Sequence, residues 1–313
     1  MGEGMREHRK IPLLVLCGPT GSGKTALAVR LAETWPVEVI SADSRQVFRG
    51  MDIGTAKATP EERACVPHHL IDLVDPDQDF SAADFAERGR DAVAQIVARG
   101  HRPLLVGGTG FYIRALTQGL LDAPAGDAAL RQELHAFAEA QGPQALWRRL
   151  QTVDPEAAAQ IHPNNLVRVV RALEVFSLTG KPISQLQAQH GFDDRPYALL
   201  KIAVMPPREE LFRRIDQRVE AMVAAGLFEE TAELLRRGYG SELKSMRTLG
   251  YQEAAACLRG EISCERAVEM IQLHTRQFAK RQLTWFRKDP EIIWVDSLRE
   301  FATILQLIEK FYS

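Results

Sequence analysis

Val15-Leu16-Cys17-Gly18-Pro19-Thr20-Gly21-Ser22-Gly23-Lys24-Thr25-Ala26-Leu27-Ala28 runs from an apolar strand through G-x-x-x-x-G-K-T into the start of a helix. That order is the context a phosphate-binding loop requires. Gly18, Gly21 and Gly23 let the backbone turn its N–H groups inward, and Lys24 adds a positive charge. The helix N-terminus supplies the favourable end of a dipole for a polyphosphate. Pro19, Thr20 and Ser22 complete the loop, and the Thr25 hydroxyl is the expected ligand of a magnesium ion. A di- or triphosphate is therefore the expected ligand class.

Working outward, short apolar runs recur at Ile11 to Cys17, Val37 to Ser41, Leu70 to Val74 and Leu104 to Val106, with helical stretches such as Ala83 to Ala98 between them. That alternation predicts parallel strands joined by crossover helices. From Asp127 to about Gln189 only helical periodicity is found, broken at Gly142-Pro143, His162-Pro163 and Gly180-Lys181-Pro182. A strand pattern returns at Leu199 to Val204, a helix follows from Glu209 to Ala225, and a helix-rich stretch from Cys264 to Lys288 leads into a last strand at Ile292 to Asp296. The expected fold is α/β: a P-loop NTPase-like parallel sheet flanked by helices, carrying an inserted all-helical domain. The expected boundaries are a flexible tail at residues 1–10, a core of 11–120 with 198–313, and an insert at 121–197.

Composition narrows the class. The chain has 313 residues, 45% hydrophobic and 26% charged, with a formal net charge of -2. That suits a soluble protein and leaves a local basic face possible for nucleic acid. Cys17, Cys65, Cys257 and Cys264 are scattered without a C-x-x-C pair, which predicts reduced thiols in a cytoplasmic setting. No apolar run is long enough for a membrane span, and the polar opening residues do not read as a signal peptide.

Asp43 ends the second strand, at the carboxyl edge where open α/β sheets hold ligands. A carboxylate there suits water-mediated magnesium binding or proton acceptance from a nucleophile, and it equally suits capping of its own turn. The polar stretch Phe48 to Lys57 is too long for a simple turn. Asp75, Asp77 and Asp79 lack the glycine and the glutamate of a calcium loop, and His68 and His69 have no metal-ligand spacing. A second glycine-rich turn, Gly107-Gly108-Thr109-Gly110, follows the fourth strand, where an ordinary P-loop hydrolase carries an Asp. Its absence weakens an ATP-hydrolysing reading. Arg168 and Arg171 share one helix face, and the last long helix carries His274, Arg276, Lys280, Arg281, Arg287 and Lys288 interleaved with Phe278, Trp285 and Phe286. Such a run fits phosphate tracking with base stacking, and fits a solvated basic face as well. Arg218, on the helix after the fifth strand, is a candidate for closing on a diphosphate.

Taken together these strings resemble the bacterial tRNA dimethylallyltransferases, also called tRNA isopentenyltransferases. The resemblance spans the chain: Gly18 to Thr25, Asp43-Ser44-Arg45-Gln46 with Gly50 to Lys57, Gly107 to Gly110, Arg168 to Glu174, Arg247-Thr248-Leu249-Gly250-Tyr251, and Arg276 to Arg287. It implies transfer of a dimethylallyl group from dimethylallyl diphosphate to the exocyclic amine of the adenosine 3′ of the anticodon in tRNA. Lys24, Thr25-bound Mg2+ and Arg218 would stabilise the departing diphosphate, and Asp43 would take the amine proton. Asp43 to Gln46, Thr109, Arg131, Val167 to Arg171 (with Val169 and Val170), and Met246 to Tyr251 would contact the anticodon stem-loop. Arg276, Lys280 and Arg281 on the basic helix are counted with them, and the insert would close over the stem-loop of a monomeric, cytoplasmic enzyme. Gly21 and Phe48 stand where Ala and Tyr are frequent in the family. No zinc-finger spacing follows the core, which points to the bacterial type. The alternatives are an adenylate dimethylallyltransferase acting on free nucleotide, a P-loop kinase or ATPase, and a non-catalytic RNA-binding protein.

Overall fold

The computed structural model describes residues 10–313 except 122, 125, 192, 193, 297 and 298; the tail expected at the N-terminus falls, apart from Lys10, outside the described residues. The first part of the chain runs β1 (Ile11–Cys17), α1 (Lys24–Ala32), β2 (Val37–Ser41), α2 (Pro60–Cys65), β3 (His68–His69), α3 (Ala82–Ala98), β4 (Arg102–Val106) and α4 (Gly110–Gln118). Five helices follow: α5 (Ala128–Gln141), α6 (Pro143–Val153), α7 (Pro155–Gln160), α8 (Leu166–Thr179) and α9 (Ile183–His190). The chain closes with β5 (Tyr197–Val204), α10 (Arg208–Ala224), α11 (Leu227–Arg236), α12 (Tyr251–Leu258), α13 (Cys264–Phe286), β6 (Ile292–Val295) and α14 (Phe301–Tyr312).

The strands form one parallel sheet in the order β3-β2-β4-β1-β5-β6. Both faces are covered, as a parallel sheet requires. Alternate residues of β1 divide between the two cores: Leu13, Val15 and Cys17 pack with Phe85, Ile96 and Ile113, whereas Leu14 and Leu16 pack with Leu27, Leu31 and Ile304. The register aligns Leu16 with Val106 on one side and with Ile202 on the other. The carboxyl ends of β1, β4 and β5 thus finish level, and the loops leaving them share one edge. No helix among the described residues is long and apolar enough to cross a membrane.

The third strand departs from its expected place. Leu70 to Val74 is not extended: Leu70 and Asp72 have left-handed φ values of 61° and 55°. The pairing is made instead by His68 and His69 against Val39 and Ile40. The bend brings the Asp72 carboxylate onto Lys57, 2.5 Å away, and Arg63, 3.2 Å away, so two ion pairs outweigh the apolar pattern. His69 Nε2 lies 2.6 Å from buried Glu38, which also meets His101 and takes two N–H groups of Arg99. Those bonds, Arg99 first, hold the Glu38 carboxyl down at about 2 against the opposing effect of burial.

The chain divides into two compact units: residues up to 117 with 195–313, and residues 118–194. The second is wholly helical among its described residues and has its own core, with Leu134, Leu146, Leu150, Val169 and Leu173. Proline at the first helical positions of α6 and α7 and glycine after α8 mark the ends of those helices. Two buried carboxylates brace it. Asp154 accepts from Ala157 N–H and from both the N–H and hydroxyl of Ser184, and Glu174 accepts from Asp127 N–H, Arg131 and Arg171.

Candidate active site

The phosphate loop is held from three sides. Gly18 has φ 132°, and a Cβ there would meet Val204 O of β5 at 2.6 Å, so only glycine fits. Gly21, with φ 79°, presses on Ile215 and Leu211 of α10. From α13, the buried amide of Gln282 accepts a hydrogen bond from Thr20 N–H at 2.9 Å and donates to Gly108 O at 3.0 Å. One side chain therefore ties the phosphate loop to the second glycine turn. Gln282→Leu leaves two backbone groups unsatisfied, and urea unfolding is expected to record a loss of about 1–3 kcal/mol.

Lys24 Nζ donates to Gly18 O at 3.1 Å and Pro19 O at 2.7 Å. Burial, then repulsion from Arg218, pulls its ammonium down to about 8, with Asp43 acting the other way. Arg218 is likewise pushed below its ordinary value by burial and is supported by Asp43 and Glu62. Arg45 follows the same pattern, its charge facing Asp43 and Glu253. Asp43 is thus the carboxylate common to three half-buried cations. The Cys17 thiol behind the loop is pushed up to about 12, chiefly by burial, and is inert packing. All four cysteines are free.

Asp43 does cap its own turn, as one reading of it required, since Arg45 N–H donates to Oδ1 at 2.9 Å. Ser44 N–H donates to Thr109 Oγ1 at 3.0 Å, and Thr109 N–H to Ala42 O at 3.1 Å. A Cβ at Gly107 would fall 2.1 Å from Ala42 O. The Asp43 turn and the second glycine turn are therefore a single locked unit, one strand away from the phosphate loop.

Some sequence-predicted contact residues lie open and others do not. Arg168, Arg247, Lys280 and Arg281 are exposed, and Val167 is 76% exposed. Val169, Val170, Met246 and Tyr251 are buried and offer no side chain to a ligand; the apolar packing of α8 and of the α11–α13 cluster claims them. Gly250 is buried too, beneath the helix cap made by Glu253. Thr248 donates to Ser245 O, and Leu249 is half-buried. Gln46 accepts from Ser41 Oγ and donates to Ala56 O, which fastens the 48–57 stretch to β2. Arg276 is paired with Asp216 at 2.6 Å. Arg131 and Arg171 are committed to Glu174; burial alone would raise that carboxyl, but their hydrogen bonds hold it below its usual range. Removing one partner of such a buried carboxylate costs about 3–5 kcal/mol, so these arginines first of all hold their own unit together.

Residues that motif reading passed over do much of the positioning. Glu230 of α11 accepts from Asp52, Ile53 and Gly54 N–H and from the Tyr251 hydroxyl. Glu253 takes Gly250 N–H and His274. Gln282 had a visible signal: it shares the inward stripe of α13 with Ala279 and Phe286, a polar residue at a core position. Glu230 had none.

Among the described residues no group of three His, Cys, Asp or Glu side chains is arranged to hold a metal ion. The donor set fits a divalent cation bound mainly by phosphate oxygens and water, to which the Thr25 hydroxyl at the start of α1 would add one ligand. The arrangement suits an anion whose charge grows beside a carboxylate able to accept a proton.

Comparison with known proteins agrees. A family model described as IPP transferase matches residues 46–289. The tRNA dimethylallyltransferase of Geobacter metallireducens is 53% identical over 98% of this chain and 100% of its own length. A crystal structure of the full-length tRNA isopentenylpyrophosphate transferase of Bacillus halodurans covers 97% of this chain and 98% of its own, with 40% identity and a TM-score of 0.71. A eukaryotic dimethylallyltransferase solved acting on tRNA covers 94% of this chain and 76% of its own, with 28% identity and a TM-score of 0.79.

Proposed function

The chain belongs to the IPP transferase family, and from that membership we propose that it transfers a dimethylallyl group from dimethylallyl diphosphate to the exocyclic amine of the adenosine 3′ of the anticodon in tRNA. The observation that carries the reading is the convergence of Asp43 with Lys24 and Arg218 beside the phosphate loop. The allylic carbon–oxygen bond breaks, a nitrogen–carbon bond forms, and diphosphate leaves. Lys24, Arg218 and the loop N–H groups meet the negative charge that appears on the leaving oxygens, where fixed donors act most strongly. Asp43 orients the amine and accepts its proton. Thr25 would help to hold Mg2+, which would supply further charge neutralisation for the departing diphosphate.

An adenine stacked in an anticodon loop cannot reach this edge, so the base is extruded toward it. Exposed Arg168, Arg247, Lys280 and Arg281 suit contacts to the RNA backbone. A tRNA acceptor supports action in the cytoplasm. Kinase chemistry is disfavoured because β4 runs from Val106 straight into Gly107, with no carboxylate at the strand end to organise magnesium.

Mass analysis of nucleosides tests the proposal: unmodified tRNA and AMP compete as acceptors in the presence of enzyme, magnesium and dimethylallyl diphosphate. The expected product is N(6)-dimethylallyladenosine in tRNA. An adduct on AMP alone would assign the chain to free-nucleotide acceptors, and ATP turnover without any adduct would overturn prenyl transfer.

A further inference from the structure

The stretch from Met51 to Lys57 lies outside the phosphate loop and is held by charged side chains from elsewhere in the chain. Three successive N–H groups, of Asp52, Ile53 and Gly54, point at the one carboxylate of Glu230 on α11, at 3.0, 2.9 and 3.1 Å. Consecutive N–H groups turned to one side form a concave seat for an anion, and here the protein's own side chain fills it. Tyr251 closes the seat: its hydroxyl donates to Glu230 at 2.5 Å, and a Cβ at Gly54 would fall 2.5 Å from its ring. At the other end of the stretch, Lys57 Nζ donates to Phe48 O at 2.6 Å and to the carboxylates of Asp52 and Asp72, both at 2.5 Å. Between these two clamps Ala56 has φ 47°, a left-handed conformation that a residue other than glycine keeps only where its surroundings impose it.

What the strained turn presents is a carbonyl. Ala56 O accepts from Gln46 Nε2 at 3.1 Å and from Arg218 Nη2 at 3.5 Å. Gln46 reaches back to Ser41 Oγ at the end of β2, two residues before Asp43. Arg218 of α10 has Asp43 and Lys24 as charged neighbours. A guanidinium on a long stem has many rotamers open to it, and one carbonyl in a fixed place selects among them. We propose that Glu230 is a positioning residue for the departing diphosphate: by seating the N–H groups of residues 52–54 it fixes Ala56 O, and through that carbonyl the Arg218 guanidinium. The carboxylate itself does not touch the substrate. This rests on the reading of Arg218 as a diphosphate ligand.

The test is calorimetry with inorganic diphosphate and magnesium on the full-length protein, Glu230→Gln, Arg218→Met and the double variant, with urea unfolding of each showing that it is folded. Glutamine has one acceptor oxygen where the carboxylate has two, and its amide N–H groups would face backbone N–H groups, so the seat opens. Glu230→Gln is expected to weaken diphosphate binding about 3- to 30-fold. Arg218→Met weakens it as well, and in that background Glu230→Gln should add less than about twofold, because the group it positions is gone. A merely structural glutamate would give effects that multiply. In steady-state kinetics, kcat/KM for dimethylallyl diphosphate should fall in step with the affinity for diphosphate. Unchanged diphosphate affinity in Glu230→Gln, or a loss that persists in full beside Arg218→Met, overturns the positioning role. Should Glu230→Gln not fold, Tyr251→Phe takes its place in the same cycle: it keeps the ring against Gly54, removes one hydrogen bond from the carboxylate, and should give a smaller loss that also vanishes beside Arg218→Met. Wild type that fails to bind diphosphate would instead remove the reading of Arg218 and the phosphate loop on which the proposal rests.

Discussion

Asp43→Asn lowers kcat by about 10²–10⁴, the usual contribution of a positioned proton acceptor, while tRNA binding stays within a few-fold. Asparagine keeps an oxygen to accept Arg45 N–H, so the turn that carries residue 43 survives the change. What is lost is the ability to take a proton from the attacking amine. Single-turnover measurements separate this from binding, since the defect should persist at saturating tRNA and donor. Wild-type turnover in Asp43→Asn would remove the carboxylate from the mechanism and leave it as the cap of its turn.

Lys24→Met lowers kcat/KM by about 10²–10³, as expected for a preorganised charge facing a leaving anion. The wild-type enzyme adds a pH signature. With the Lys24 ammonium at about 8 in the free protein, the charged form dominates below that value and the neutral amine above it. Diphosphate needs the charged form, so donor KM is expected to be flat on the acid side and to rise about tenfold per pH unit above pH 8. Bound diphosphate raises the ammonium's pKa in the complex, so kcat should hold to higher pH than kcat/KM. Lys24→Met should remove the rise along with the affinity. If the rise persists in that variant, another group governs it.

The phosphate loop, its flanking elements and the reach of Asp43 could be read directly, because each depends on neighbours in the chain. Glycine at positions 18, 21 and 23 answers a local backbone demand, and the alternation along Ile11 to Cys17 announces a strand covered on both faces. The same local logic failed at Leu70 to Val74, where the apolar run gave way to ion pairs from Asp72 to Lys57 and Arg63. It also failed inside the contact strings: Val169, Val170, Met246 and Tyr251 share motifs with exposed neighbours, yet their packing turns them inward.

The sequence by itself determined the α/β core with its helical insert and the family, since a long, ordered set of motifs specifies both. The tertiary structure alone decided which charges meet. Thr20 and Gln282 stand 262 positions apart, and Asp52 and Glu230 stand 178 apart. Ion pairs and hydrogen bonds act over a few ångströms of space irrespective of separation along the chain, so only the folded packing of α10, α11 and α13 around the sheet edge could select them.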